Sequence, residues 1–387
     1  MRVPILAMLS ALAFAACSGS GEAVAPGNGA AVQASTGKPF AVQELGRFDQ
    51  PWAMTFLPNG RLLVTEKPGR IRFLDLGSST PRLGTVTGVP QVDARGQGGL
   101  GDIVPHPDFA RNNLLYISYA EAGPADTRGA AVARARLDCR EADACTLQNL
   151  QVIWRQHPKV TGRGHYGHRI AFGPDGKLYI SSGDRQKFTP AQDMNANLGK
   201  IVRLNDDGSV PSDNPFANRG GVAAQVWTLG HRNPLGIAFD GQGRLWEHEM
   251  GPQGGDEFNL IERGSNYGYP VVSNGDHYGG EEIPDHDTRP EFNAPEITWT
   301  PVISPAGLIH YTGSLFPQWR GSFLLGGLSG QALVRVVTEG NRARVADRWD
   351  MGQRIREVEQ GPDGAVYLLE DERNGSGGRL LKLTPAR

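Results

Sequence analysis

Along most of the chain, apolar residues come in short alternating or continuous runs of four to six. Polar turns rich in Pro, Asp, Asn and Gly separate them. Runs this short, with many β-branched and aromatic residues, predict strands. One unit recurs: "FLPNGRLLVTE" at 56–66, "PHPDFARNNLLYISYAE" at 105–121, "FGPDGKLYISSGD" at 172–184, "FDGQGRLWEHE" at 239–249, "LFPQWRGSFLLGG" at 315–327 and "GPDGAVYLLED" at 361–371. Each is a turn that runs into a strand. The turns, marked by Pro58, Pro107, Pro174, Gly241, Pro317 and Pro362, follow one another at intervals of about 45–76 residues, the size of a four-stranded sheet with its loops. No long amphipathic helix competes. A strand-only repeat of this size predicts an all-β fold, a six-bladed β-propeller, because one small sheet cannot bury both its faces and must stack on neighbours. A β-sandwich with chance turn similarity is the alternative. In a propeller, loops from all blades converge at one end of the axis, so polar residues far apart in sequence can meet there.

The N-terminus breaks this pattern. "MRVPILAMLSALAFAAC" has a basic residue, Arg2, then an apolar run from Ile5 to Ala16 that is too short for a membrane span. Ala15 and Ala16 immediately precede Cys17, which predicts a lipoprotein-type signal peptide over 1–17 with Cys17 lipidated. Phe14 stands where Leu is usual, and plain cleavage after an Ala is the alternative. Ser18 is not an acidic retention residue, so the expected location is periplasmic, at the outer membrane. Residues 18–38 are Gly-, Ala- and Ser-rich and read as a flexible linker. The propeller is expected over 39–387. The other two cysteines, Cys139 and Cys145 in "CREADAC", predict a disulfide in an exported protein.

Composition narrows the function. Lys plus Arg number 39 and Asp plus Glu 41, a net charge of −2, so there is no electrostatic case for nucleic acid. The 52 Gly and 27 Pro follow no short period, which excludes collagen and fits frequent tight turns.

Five loop segments carry polar groups that strand packing does not need. "RGQGGLGD" sets Gln97 among glycines, which let backbone approach a ligand or simply form a flexible turn. "TGRGHYGHRIAFGPDGKLYISSGD" sets His165 among glycines and ends on Asp184. A carboxylate on one imidazole nitrogen fixes the tautomer and raises basicity at the other, a general-base arrangement; a hydrogen-bonded structural histidine is the alternative. His168 and Arg169 read as supports at the blade edge. "LGHRNPLGIAFD" holds Arg232 and Asn233 before Pro234. The arginine suits an anion, a polarised carbonyl or an inter-blade salt bridge. "EMGPQGGDEFNLIERGSNYGYP" can aim carbonyl oxygens from bent backbone at Gly251 and Pro252, beside Asp256 and Glu257. This is an oxygen-rich setting compatible with calcium, without EF-hand spacing. Tyr267, Tyr269 and Tyr278 follow, to stack on a planar ligand or to pack. In "GQRIREVEQGPDG", Arg354 and Arg356 are two apart and project to one face of a strand. Such a pair suits a ligand with several carboxylates, or else the acidic neighbours Glu357 and Glu359.

Taken together and in order, these segments resemble the soluble PQQ-dependent sugar dehydrogenases, most closely the bacterial aldose sugar dehydrogenases, from about residue 40 to the C-terminus. The resemblance implies pyrroloquinoline quinone (PQQ) and Ca2+ as cofactors. It implies His165 as catalytic base, Asp184 as its orienting carboxylate, and Arg232 and Asn233 as quinone contacts, with Gln97 as another. It further implies carbonyls of Gly251 and Pro252 on the calcium beside PQQ, calcium-associated positions at Glu257 and Tyr267, an aromatic cofactor contact at Tyr278, and Arg354 with Arg356 as the clamp on PQQ carboxylates. One position departs: relatives often carry a Lys where this chain has Ser329, which weakens the expected hold on the cofactor or shifts the charge to another residue. The expected reaction is oxidation of the C1 hydroxyl of an aldose to a lactone, with electrons passed to a periplasmic quinone or cytochrome, by a monomer or homodimer. The rival readings are a dehydrogenase of another sugar derivative of sorbosone type, a calcium-dependent lactonase, and a non-enzymatic ligand-binding propeller.

Overall fold

The computed structural model describes residues 33–34, 37–77, 82–141 and 143–386. The signal peptide, Cys17 and most of the linker lie outside the described residues. Six sheets stand around one axis as a β-propeller. Their innermost strands are Pro51–Phe56, Leu100–Pro105, Gly167–Phe172, Pro234–Phe239, Pro305–His310 and Ile355–Gln360. Each packs on the next and the last returns to the first, so the ring is closed. In every blade the second strand runs antiparallel to the first, and the six repeated turns of the sequence are the connections between them.

Closure joins the two ends of the chain. Phe40–Arg47 pairs antiparallel with Arg379–Pro385 and completes the sixth blade. This supplies a partner for the terminal edge strand, which would otherwise expose unpaired backbone. The outermost strands of the first two blades also pair with each other, Arg82–Thr87 running parallel to Ala144–Arg155. The predicted Cys139–Cys145 disulfide is present at the start of that second strand. The core lies between blades. On the face between the fifth and sixth, Phe316 and Trp319 stack at 4.0 Å amid Leu324, Leu333, Val358, Leu368 and Leu381.

One irregularity recurs in all six blades. Near the start of each innermost strand the pairing with the second strand slips, between Pro51 and Ala53, Leu100 and Ile103, Gly167 and Ile170, Pro234 and Gly236, Ala306 and Leu308, and Ile355 and Glu357. A β-bulge re-aims the side chains it carries. In four blades the bulge residue lines one cavity on the axis.

Candidate active site

The bulge residues Trp52, His168, Leu235 and Arg356 line an axial cavity of about 330 Å³. The residue that follows the second strand of a blade also lines it in four cases: Lys67, Met250, Leu328 and Asp371. Gln97, Tyr166 and Asn233 complete much of the wall. His168 stacks on Trp52 at 4.9 Å and meets Ser118 Oγ at 2.7 Å, and burial pushes its imidazole down to about 3, so the ring is neutral. Arg169, the next residue, lies over Trp52 at 4.1 Å and is ion-paired to Glu357. Both were expected at the blade edge but sit at the axis, because the bulge turns them inward.

The arginine pair reaches this cavity by a different route from strand alternation. Arg354 precedes the strand and Arg356 occupies the bulge. Both converge on Asp371, with Arg356 Nη2 at 2.7 Å and Arg354 Nε at 3.4 Å from the same carboxylate oxygen. Burial works against the charged form of Asp371, yet the two guanidiniums hold its carboxyl down at about 2. Asp371, not Glu357 or Glu359, is the acidic neighbour of the pair.

A second cavity of about 550 Å³ opens beside the first, lined by His165, Phe188, Arg232, Tyr269, His277 and Tyr278 among others. Here His165 Nδ1 lies 2.7 Å from Asp184 Oδ1. The carboxylate is braced in turn by the amides of Gln186 at 3.0 Å and Phe188 at 3.3 Å. Burial, reinforced by the Arg232 charge, lowers the His165 pKa, while Asp184 opposes that shift. His165 holds a left-handed backbone, φ 50°, which is costly for a residue with a side chain and needs support from its surroundings. The Gln97 side-chain oxygen accepts from its amide at 2.7 Å. Arg185, buried over Tyr166, donates to the carbonyls of Gly162 and Gly164 just upstream, both at 2.8 Å. Arg185 was not singled out from the sequence; its place beside Asp184 was the available signal.

Two pairs of consecutive residues form the wall between the cavities. His165 and Arg232 face the outer one, while Tyr166 and Asn233 face the axial one. The Arg232 guanidinium donates to the carbonyls of Met250 at 2.8 Å and Gly251 at 2.5 Å. Its Nε and the Asn233 Oδ1 are buried and have no hydrogen-bond partner among the described residues. Tyr278 is 74% exposed on the outer cavity, 5.8 Å from the Arg232 guanidinium, and does not line the axial one. The Ser329 hydroxyl meets Ser304 Oγ at 2.8 Å and also does not line the axial cavity.

Glu257 and Tyr267 line neither cavity. They belong to a buried polar cluster in the fourth blade. Glu247 and Glu249 lie opposite Asn259 and Glu257 on adjacent strands, so all four side chains share one face. His231 Nδ1 lies 3.1 Å from Glu249 Oε1, and Asn259 Nδ2 donates to Glu247 at 3.0 Å and Glu257 at 3.2 Å. His231 stacks on the Tyr267 ring at 4.8 Å. Burial and the nearby Glu249 carboxylate push the carboxyls of Glu247 and Glu257 well up. His231, Glu247 and Glu249 offer ligand atoms within 4.8 Å of one another, and Glu247 Oε1 and Asn259 Oδ1 lack partners among the described residues. Buried carboxyls grouped around these two spare oxygens fit a hard divalent cation. None of His231, Glu247 and Glu249 was named from the sequence, although "LWEHE" shows the two glutamates at strand spacing.

Aldose sugar dehydrogenase YliI of Escherichia coli (strain K12) is 38% identical over 349 residues, covering 88% of this chain and 91% of that protein. The apo crystal structure of the soluble aldose sugar dehydrogenase from Escherichia coli superimposes with a TM-score of 0.81 at 37% identity, covering 90% of this chain and 100% of that one. The PQQ-bound aldose sugar dehydrogenase from Streptomyces coelicolor gives a TM-score of 0.71 at 29% identity, covering 92% and 99%. A model of the glucose/sorbosone dehydrogenase family matches residues 48–382, which span all six blades and both cavities, and the chain belongs to that family.

Proposed function

We propose that this chain is a PQQ- and calcium-dependent oxidoreductase that oxidises the C1 hydroxyl of aldose sugars to lactones. The observation that carries the reading is the pair of cavities with a shared wall: a cation-lined axial cavity on one side and the braced His165–Asp184 pair on the other. The axial cavity suits a flat polyanion. It offers the Arg354–Arg356 pair, an aromatic floor at Trp52, and the unpartnered Arg232 Nε and Asn233 Oδ1 close to its wall. Arg354, Arg356, Asn233 and Gln97 would hold PQQ. When bound there, PQQ supplies the two-electron acceptor for the hydride that leaves C1 of the sugar.

The residues of the chain carry the rest. A sugar in the outer cavity presents its anomeric hydroxyl to His165 Nε2, which takes the proton. Asp184 holds the ring as the Nδ1–H tautomer and stabilises the imidazolium that forms. Arg232, between the two cavities, directs positive charge toward the oxygen that becomes electron-rich. The aromatic side chains Phe188, Tyr269 and Tyr278 cover the sugar from the solvent side. Calcium is assigned to the carbonyls of Gly251 and Pro252 and, in the blade-four cluster, to Glu257 with Tyr267; Glu247 and Glu249 add charge to the second place.

The same reading places the protein in the periplasm after export, with Cys17 as a lipid anchor and a quinone or cytochrome as electron acceptor. The deciding experiment is reconstitution. Apo protein should reduce a redox dye with glucose only when both PQQ and Ca2+ are supplied. Full activity in EDTA, or with a nicotinamide cofactor alone, overturns the proposal.

A further inference from the structure

We infer that Lys67, on the first blade, supplies a third cationic contact to the carboxylates of the cofactor in the axial cavity, beside the Arg354–Arg356 pair. The inference rests on the PQQ reading above and adds a residue to it. Lys67 directly follows the strand Arg61–Glu66, the same place in its blade that Asp371 holds in the sixth. Like Asp371, it lines the axial cavity.

The charges in that cavity do not balance. Lys67, Arg354, Arg356 and Arg373 face it, against the carboxylates of Asp371 and Glu372, and His168 is neutral there. Asp371 is taken by both guanidiniums of the pair, and Glu372 accepts from the Gln50 amide at 2.6 Å. Among the described residues Lys67 has no carboxylate partner. Its ammonium donates to the Gly96 carbonyl at 2.9 Å, one bond for a group with three donors. Burial and the charges of Arg356 and Arg373 press its pKa down, the mark of a cation placed among cations. A multiply charged anion in the cavity relieves all of these at once.

Among the described residues the fifth blade contributes no cation to this cavity. There Ser304 and Leu328 form the wall, and the Ser329 hydroxyl is turned to Ser304 and to the Val302 carbonyl. The positive charge beyond the sixth blade therefore comes from the first blade.

The test is equilibrium dialysis of apo protein against PQQ with Ca2+ present, comparing wild type with Lys67→Met, Lys67→Gln and Lys67→Arg. Thermal midpoints control for folding. Loss of one charge-assisted contact should raise the PQQ Kd about 10- to 100-fold in the Met and Gln variants, with the thermal midpoint of the apo protein unchanged. Lys67→Arg, which keeps the charge, should stay close to wild type. If wild type binds PQQ and the folded Met or Gln variant binds equally well, this inference is overturned alone. If wild type does not bind PQQ, the functional reading falls and this inference falls with it.

Discussion

His165 Nδ1 lies 2.7 Å from Asp184 Oδ1, and the same carboxylate is held by two backbone amides of its own loop. With Nδ1 committed to Asp184, Nε2 is left as the proton acceptor.

His165→Ala should therefore lower kcat by about 10²- to 10⁴-fold while PQQ still binds, because the imidazole acts on the outer cavity and the anion clamp lies in the axial one. Steady-state kinetics together with PQQ dialysis checks both halves. Near-full kcat in the variant would remove His165 from the mechanism.

The pH profile follows from the burial of this histidine. Burial and the Arg232 charge place the His165 pKa below the ordinary 6.5, so the neutral, accepting ring persists into mildly acidic solution. The acid limb of kcat/KM should fall below pH 6.5, with activity lost as pH drops through it. Asp184→Asn removes a contribution that raises the pKa. Its limb should move lower still, on a much reduced plateau. An acid limb above pH 6.5 in wild type would contradict the assignment.

Arg354→Ala should act in the opposite sense to His165→Ala. It should weaken PQQ binding by more than about tenfold, as expected for loss of a charge-assisted contact, with activity recovered in part at high PQQ. A titration of activity against PQQ at saturating sugar separates the two variants: loss of maximal rate with unchanged half-saturation would refute the clamp.

Calcium should stabilise the fold as well as support turnover. Glu247, Glu249 and Glu257 are buried together, and burial holds the Glu247 and Glu257 carboxyls toward the neutral form, which a bound cation would reverse. Ca2+ at about 100 times its Kd should then add about 2.7 kcal/mol, seen as a higher thermal midpoint that EDTA reverses. Glu249→Gln should blunt that response. A midpoint indifferent to Ca2+ and EDTA would count against the blade-four site.

Gly101→Ala tests the bulge architecture. A Cβ at Gly101 would lie 1.9 Å from His168 Cε1 and 2.9 Å from Ser118 Oγ, so the stacked His168–Trp52 pair must move. We expect a loss of about 1–3 kcal/mol in chemical denaturation, with weaker PQQ binding. Wild-type stability would show that the axial packing is looser than described.

The strand-and-turn repeat was legible in the sequence because it is local. A Pro–Asp–Gly or Asn–Gly turn and the apolar run after it need no partner to be recognised, and six copies imply six blades. His165 and Asp184 were legible for the same reason, lying at the two ends of one hairpin. The disulfide closes over six residues of sequence and could be read off directly. What the chain could not display locally is the slip in register at the start of every innermost strand. Alternation alone put Arg354 and Arg356 on one face, whereas a bulge and the segment before it bring them into the cavity. The same slip draws His168 and Arg169 to the axis. Asp371 and Lys67 meet the site because each follows a second strand, from blades joined only when Phe40–Arg47 pairs with Arg379–Pro385. The sequence by itself determined the blades and the hairpin that carries His165 and Asp184. The meeting of Lys67 with the charges of the sixth blade at one axis was decided only by ring closure and the bulges, because electrostatic partners are chosen by distance in space and the chain encodes only distance along itself.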